Sequence, residues 1–234
     1  AAGDGGNTGI SIGGWTADRR PFVYVDFTCG AWGARPWADG LDGNSHMFAN
    51  MASHSVEVTE IEQPIQILAY EFVPDRAGAG KFRGGVPFRR DYRFLEEEGT
   101  LQVRSDRRTH RPFGLYGGSP GAPSENVLNP DTENRPLPSK FTMTIRHGEV
   151  FRHVLAGGGG WGDPLERDPA RVLRDVRNEL LSAAKAAAEY VVVIEAGIVD
   201  TAATERLRAE LRARRGWREI PKVQRTDPLP QAAE

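Results

Sequence analysis

Apolar and polar residues alternate with a period of two at several places in the first 155 residues, as in strands that bury one face. The run FVYVDF is β-branched and aromatic, and KFTMTI alternates without a break. We predict strands over residues 10–12, 22–27, 86–94, 101–104, 140–145 and 148–154. The last two are predicted to be hairpin partners, with the turn at His147-Gly148.

Residues 56–73 read VEVTEIEQPIQILAYEFV. The segment alternates well enough to predict two strands broken at Gln63-Pro64, because proline cannot donate to a sheet ladder. Three glutamates, Glu57, Glu60 and Glu62, fall among its apolar positions. Two interpretations remain open: a solvated strand face, or the pairing of one glutamate with a buried arginine.

The pattern changes within residues 156–176, AGGGGWGDPLERDPARVLRDV. Four consecutive glycines lead to a helix start, with Asp168 as N-cap ahead of Pro169. Apolar residues then recur at helical spacing, at Val172, Leu173, Val176, Leu180 and Leu181. A second helix is predicted over residues 182–189, a short strand over 191–194, and a third helix over 201–215.

These patterns predict an α+β fold with a strand-rich antiparallel body and long Gly/Pro loops over residues 1–155. The Gly-rich loop and C-terminal helices follow over residues 156–216, and residues 217–234 are predicted to be a flexible tail. The composition agrees, because 27 glycines and 16 prolines in 234 residues, without a collagen-like period, favour a loop-rich globular protein.

Charge and hydropathy exclude several classes of protein. The formal net charge of −2 gives no electrostatic argument for nucleic acid or an anionic membrane as a partner. The sequence contains no apolar run long enough to span a membrane, and its first residues have neither the basic start nor the apolar core of a signal peptide, so we expect neither. Cys29 is the single cysteine, so we expect no internal disulfide and a cytoplasmic location. Because the chain starts with Ala1, we expect a piece of a longer protein, a processed product or a separately encoded subunit.

Individual motifs do not complete an active site. Residues 75–85, DRAGAGKFRGG, lack the spacing of a nucleotide-binding loop, so we expect a tight hairpin whose glycines have positive φ angles. His46 and His54 could form a metal site with nearby aspartates, but no HxH or HExxH spacing is present and we predict no metal ligand here. Cys29 has no adjacent base, which favours a small buried hydrophobe over a catalytic thiol.

Several motifs occur together in a fixed order. GGGGWGDPLERDPARVLRDV is followed by an alanine-rich helix and YVVV, and it is preceded by GAR, GAGKFRGG, DRR and GLYGG. The chain resembles the C-terminal part of the hydantoinase B/oxoprolinase family, whose members include N-methylhydantoinase B subunits, half of 5-oxoprolinase, and subunits of acetone and acetophenone carboxylases. The resemblance covers roughly residues 1–216. Trp161 stands where tyrosine is common in the family, and Val191 follows Tyr190 where glycine is usual.

The resemblance implies a role in a cytoplasmic hetero-oligomeric enzyme that acts on a small molecule. An A-type subunit would bind ATP and Mg and phosphorylate a cyclic amide, and the B-type component would complete ring opening. The divalent metal is expected in an N-terminal B-type portion that has no counterpart here. A carboxylase subunit is the alternative, and a non-catalytic assembly module is another. In each case this segment is expected to be inactive alone.

Chemistry within this chain is expected in the loop that follows the strand of residues 22–27, because long structured loops often hold function. We predict Arg35, Asp39 and Asp42 as catalytic residues that contact substrate or an anion. Arg83 and His46 are predicted to bind substrate. The alternative for the arginines and aspartates is a salt-bridged loop.

Overall fold

The computed structural model describes residues 1–45, 49, 51–215 and 222–224. The strands in these residues are β1 (Thr8–Trp15), β2 (Pro21–Thr28), β3 (Ile65–Phe72), β4 (Phe88–Phe94), β5 (Glu98–Arg104), β6 (Gly114–Leu115), β7 (Glu125–Leu128), β8 (Arg135–Pro136), β9 (Lys140–Arg146), β10 (Val150–Val154), β11 (Ile194–Glu195), β12 (Ile198–Val199) and β13 (Val223–Gln224). The helices are α1 (Val56–Glu62), α2 (Pro169–Arg177), α3 (Ala183–Tyr190) and α4 (Thr201–Arg215), with a 3₁₀ turn at Pro164–Glu166.

Two antiparallel sheets form the body, in the strand orders β2-β1-β5-β9 and β3-β4-β10-β7-β8. Each strand points alternate side chains to one face, and the apolar faces of the two sheets meet. Ile12 of β1 and Leu101 of β5 are fully buried in one cluster with Tyr92 of β4 and Phe151 of β10. The predicted strand-rich antiparallel α+β fold is confirmed.

The predicted turn at His147-Gly148 is present, but its flanking strands are not partners. β9 pairs with β5, whereas β10 pairs with β4 and β7. The predicted hairpin is therefore wrong. Ile145 and Phe151 enter the same core from opposite sheets, so the turn carries the chain from one sheet to the other.

The first of the two strands predicted within residues 56–73 is wrong, because residues 56–62 form α1. This helix lies on the surface with only Thr59 buried, and Ile61 is 84% exposed. A short surface helix buries no wide apolar face, so its apolar residues need not recur at helical spacing. The sequence of α1 can therefore alternate as that of a strand does. The three glutamates are exposed and form no ion pair within the described residues, while Glu60 accepts a hydrogen bond from the Ile67 N–H (2.8 Å) at the start of β3.

The four consecutive glycines at residues 157–160 are surrounded by other backbone segments. A Cβ on Gly157 or Gly160 would collide with the segment 76–79. A Cβ on Gly158 would collide with the Trp32 carbonyl group, and one on Gly159 with the Phe113 carbonyl group. The Cβ positions of Gly157 and Gly160, three residues apart, therefore point to the same side, which is the period of a polyproline II helix. The Gly158 N–H donates to the Gly85 carbonyl (3.0 Å), so neighbouring segments supply the hydrogen bonds. Only residues without a Cβ allow backbones to approach this closely.

Glycines in the connection between β3 and β4 belong to the same packing. Gly78, Gly80, Gly84 and Gly85 do not have positive φ angles, so the predicted tight hairpin is wrong. A Cβ on Gly84 would collide with the carbonyl group of Gly158. These glycines are therefore required by close approach of two backbones rather than by a left-handed turn.

The predicted C-terminal helices are present and capped. The side chains of Asp168, Ser182 and Asp200 each accept a hydrogen bond from a backbone N–H in the first turn of α2, α3 and α4. The strand predicted over residues 191–194 is displaced, because Val191 adopts a left-handed φ of 51° that ends α3 and β11 begins only at Ile194.

A smaller core beneath the helices joins Val172 and Tyr190 to Ala79 of the body. The division of the chain after residue 155 stays a prediction. Residues 217–221 and 225–234 of the predicted tail lie outside the described residues, and Val223 in β13 pairs with Leu115 in β6. Within the part of the chain that is described, no helix has the length and hydropathy to cross a membrane.

Gly158→Ala is expected to lower the free energy of unfolding by about 3 kcal/mol or more, because its Cβ would collide with the Trp32 carbonyl group. Gly9→Ala in β1 is the matched control: its Cβ would meet only the Phe27 ring, at 3.7 Å. We expect the control to change this free energy by less than about 1 kcal/mol. Urea unfolding followed by circular dichroism measures both, and equal effects would contradict the packing described.

Candidate functional site

Three predicted site residues lie in the loop of residues 29–45 that follows β2. The Arg35 N–H donates to the Ala38 carbonyl (2.9 Å), and Arg35 Nη2 donates to the backbone carbonyl of Asp39 (2.9 Å). These bonds fix the shape of the loop. Asp39 and Asp42 then face arginines of other segments, while Arg35 lines a cavity.

The Asp39 carboxylate joins this loop to α2. Arg167 donates to its two oxygens at 2.7 and 2.9 Å, and Arg171 Nη2 donates at 2.9 Å. The backbone N–H of Arg83 adds a fourth hydrogen bond at 2.9 Å. Since Arg167 is 0% exposed, its paired fork fixes the loop against the start of α2.

Asp42 and Arg83 form a second bidentate ion pair, beside that of Asp39 and Arg167. Arg83 donates to the two Asp42 oxygens at 2.7 and 3.0 Å, and Arg83 Nε lies 3.2 Å from Asp175 Oδ2. Arg167 Nη2 donates to the same Asp175 oxygen at 2.6 Å. We call the six residues the arginine–aspartate cluster: Asp39, Asp42, Arg83, Arg167, Arg171 and Asp175.

Ion pairing within the cluster favours the charged forms of Asp39 and Arg83. Burial alone would raise the pKa of Asp39, but hydrogen bonds and charge from Arg167, with Arg171 and Arg83, lower it overall. Burial opposes the charge on Arg83, yet Asp42 and Asp175 raise its pKa. The three arginines and three aspartates of the cluster balance in formal charge. Such paired charges suit a structural role that holds segments together more than proton transfer. Roles for Asp39, Asp42 and Arg83 in substrate contact stay a prediction.

Sequence reasoning missed three members of the cluster, Arg167, Arg171 and Asp175. Asp175 lies between the apolar positions Val172 and Val176 of α2, and it is only 1% exposed. An acidic residue within a buried helical stripe needs a partner. That signal was present in the sequence, but it does not name the partners, which are Arg167 and the distant Arg83.

Arg35 lines a cavity of about 380 Å³ that also contains Asp4, Trp32, Asn44 and Arg107. Glycines and alanines of residues 1–6 and 30–34 form most of the remaining wall. We call this space the Asp4 cavity. Its size is in the range of small-molecule sites.

Asp4 is the buried acid of the cavity. It is 7% exposed, and its Oδ2 has no hydrogen-bond partner among the described residues. Burial raises the pKa of Asp4 to about 7, although the Ala156 N–H and the charge of Arg107 lower it and Asp106 raises it further. Asp4 therefore exchanges a proton near neutral pH, as a general acid or base requires. No sequence motif distinguished it.

The remaining predictions concern metal and thiol chemistry. His46 lies outside the described residues, and the His54 ring packs at 6.2 Å from the Tyr24 ring. No three His, Cys, Asp or Glu side chains in the described segments come together as a metal site. Burial raises the pKa of the Cys29 thiol, which disfavours a nucleophilic thiolate.

Residues 1–164 match the family model described as hydantoinase B/oxoprolinase. The chain belongs to this family. A family relative from Methanocaldococcus jannaschii, itself uncharacterised, is 35% identical over 89% of this chain and 37% of its own length. Caprolactamase subunit beta of Pseudomonas jessenii is 34% identical over 86% of this chain and 37% of its own length.

A solved structure shares the fold of this family member. The ATP-dependent caprolactamase of Pseudomonas jessenii superposes with a TM-score of 0.78 and 29% identity, over 89% of this chain and 38% of that one. The chain thus spans less than two-fifths of the length of these relatives.

Arg167→Met tests the cluster in this hydantoinase B/oxoprolinase chain. We expect a loss of about 3–5 kcal/mol in the free energy of unfolding, because Asp39 and Asp175 would lose a buried partner. Arg206→Met is the control, since Arg206 is 70% exposed and lies 4.0 Å from Glu210; it should cost less than about 0.5 kcal/mol. Denaturant unfolding measures both, and a similar cost for the two variants would show that the cluster adds no stability.

Asp4→Asn tests the raised pKa. Folded protein holds the Asp4 proton up to about pH 7, whereas the unfolded chain releases it near pH 4, so stability falls as pH rises between these values. The variant cannot lose stability in this way. Above pH 7 its free energy of unfolding should therefore exceed that of the wild type by at most roughly 4 kcal/mol. Unfolding free energies from pH 4 to 8 measure the difference. Asp131→Asn, at an 82% exposed side chain, is the control, and parallel pH profiles for all three proteins would contradict the shift.

Proposed function

We propose that this chain is the C-terminal portion, or a separately encoded part, of the B-type component of an ATP-dependent enzyme that opens a cyclic amide. The observation that carries the proposal is the similarity to caprolactamase, which covers 89% of this chain at a TM-score of 0.78. Caprolactam is a cyclic amide, and the family model names hydantoinases and oxoprolinases. The rest of a B-type component and an ATP-using A-type subunit complete the proposed complex.

The proposed chemistry divides between subunits. An unstrained lactam is a poor electrophile. On the A-type subunit, the γ-phosphoryl group of ATP is transferred to the lactam oxygen and ADP is released, which activates the ring carbonyl carbon. ATP and Mg belong to that subunit in the proposal, and a divalent metal belongs to the N-terminal B-type portion. This chain supplies Arg35 and the Asp4 cavity, while the arginine–aspartate cluster holds the loop in place. Alone, the chain is proposed to be inactive.

Arg35→Ala tests the proposal in the reconstituted complex of this chain, the remaining B-type portion and an A-type subunit. We expect kcat/KM for ATP-dependent lactam or hydantoin opening to fall by at least about 100-fold, because a guanidinium that stabilises developing charge is removed. Coupled ADP release and product chromatography measure turnover, and gel filtration measures assembly.

Arg20→Ala is the matched control, since Arg20 is exposed and pairs only with the neighbouring Asp18 among the described residues. It should leave turnover and assembly unchanged. Unchanged turnover for Arg35→Ala would remove the catalytic role and leave an assembly module. ATP- and bicarbonate-dependent carboxylation without ring opening would favour the carboxylase alternative.

A further inference from the structure

Arg35 and Arg107 bring two guanidinium groups to the wall of the Asp4 cavity. Arg35 donates Nη2 to the Asp39 carbonyl (2.9 Å), and Arg107 donates Nε to the Asp4 carbonyl (3.1 Å). Neither guanidinium forms an ion pair within the described residues, and Arg35 Nε is buried without a partner there. The neighbouring cluster differs, since each of its guanidiniums contacts an aspartate.

The backbone of Arg107 is held in an unusual conformation at the cavity wall. Its φ of 62° lies in the left-handed region, which side chains other than Gly, Asn and Asp rarely adopt. Such a conformation persists only where the surroundings enforce it, and it is concentrated at functional sites. The hydrogen bond from its Nε to the Asp4 carbonyl ties the Arg107 side chain to the same wall of the cavity.

Asp4 adds a third polar group to the same space. More than nine-tenths of the residue is buried, and its Oδ2 is without a partner in the described part of the chain. Gly30 allows this placement, because a Cβ there would collide with that oxygen. A carboxyl group that keeps its proton can donate to an anion instead of repelling it.

We propose that the Asp4 cavity binds the anionic group of a small molecule, a phosphate or a carboxylate, with the Arg35 and Arg107 guanidinium groups donating to its oxygens. Guanidinium groups suit this role because their planar fork matches both anions. The inference rests on the proposed function for the identity of the molecule: an O-phosphorylated cyclic amide carries a phosphate, and its ring-opened product carries a carboxylate.

Calorimetric titration of the full chain with inorganic phosphate, and separately with acetate, tests the site. Arg35→Gln and Arg107→Gln should each raise the Kd for the bound probe by about tenfold or more, because a charged donor is removed. Arg104→Gln is the matched control, an exposed arginine on β5 that does not line the cavity, and its Kd should stay within about twofold of the wild type.

The two probes separate the sources of the anion. Tighter binding of phosphate supports an activated substrate as the ligand, and tighter binding of acetate supports the product. Absence of binding to the wild type overturns the inference, and so does an equal loss in Arg104→Gln. If Arg107→Gln does not fold, Arg107→Lys replaces it, because lysine keeps the charge but lacks the planar fork. Binding that is as tight as in the wild type in both folded variants, Arg107→Lys and Arg35→Gln, overturns the inference as well.

Sulfate, which keeps a constant charge near neutral pH, tests the role of Asp4. Its affinity should fall about fivefold or more between pH 6 and pH 8 as Asp4 ionises, and Asp4→Asn should abolish this dependence. Arg107 and Asp106 face Asp4, and burial raises the pKa of Cys29, which therefore stays a thiol. Burial lowers the pKa of the Ala1 amine in the same cavity, so the chain is acetylated at its N-terminus for this experiment. A pH dependence that survives in Asp4→Asn overturns the role of Asp4.

These measurements need neither ATP nor a partner. Intact probe binding together with a reconstituted complex that opens no cyclic amide would overturn the proposed function and leave this inference standing. Arg35-dependent turnover without any binding of phosphate, acetate or sulfate would overturn this inference and leave the proposed function standing.

Discussion

Close contact of backbone with backbone along residues 157–160 is the constraint on which the rest of the structure depends. A Cβ on any of these glycines would collide with a neighbouring segment, and the segments come from widely separated parts of the chain. The Ala2 carbonyl accepts from the Gly159 N–H, and Ala34 donates to the Gly159 carbonyl. The loops that contain Asp4 and Arg35 are thus positioned by backbone hydrogen bonds and not by a large apolar core.

The arginine–aspartate cluster fixes the relative positions of the segments that pack against residues 157–160. Removing paired charges from water costs as much as their attraction returns, so apolar residues could give equal stability. Apolar residues would not give the same geometry, because a guanidinium fork accepts a carboxylate in few orientations. Arg167 and Asp39 are 128 residues apart in the chain, and their pairing sets α2 against the loop after β2.

The sequence predicted the elements whose local pattern agrees with their environment. β1, β5 and β9 alternate because one face meets the opposite sheet, and α2 and α4 carry caps that act within one turn. It failed for α1, whose few exposed residues have no burial pattern. It also failed for the pairing of β9 with β10, because partner choice depends on which sheet each strand completes. Asp39, Asp42 and Arg83 were named as candidates from the sequence. Arg167 and Asp175 were missed because their contacts with Asp39 and Arg83 join segments that are distant in the chain, and Asp4 was missed because no motif distinguishes it.

One loop separates two electrostatic environments, and this arrangement ties them together. On one side the Asp39 carboxylate is neutralised by Arg167 and Arg171. On the other side the backbone carbonyl of the same residue accepts the hydrogen bond that orients Arg35. The orientation of the Arg35 guanidinium in the Asp4 cavity therefore depends on the position of α2. If Arg167 and Arg171 shift Asp39, they also move the carbonyl that accepts from Arg35.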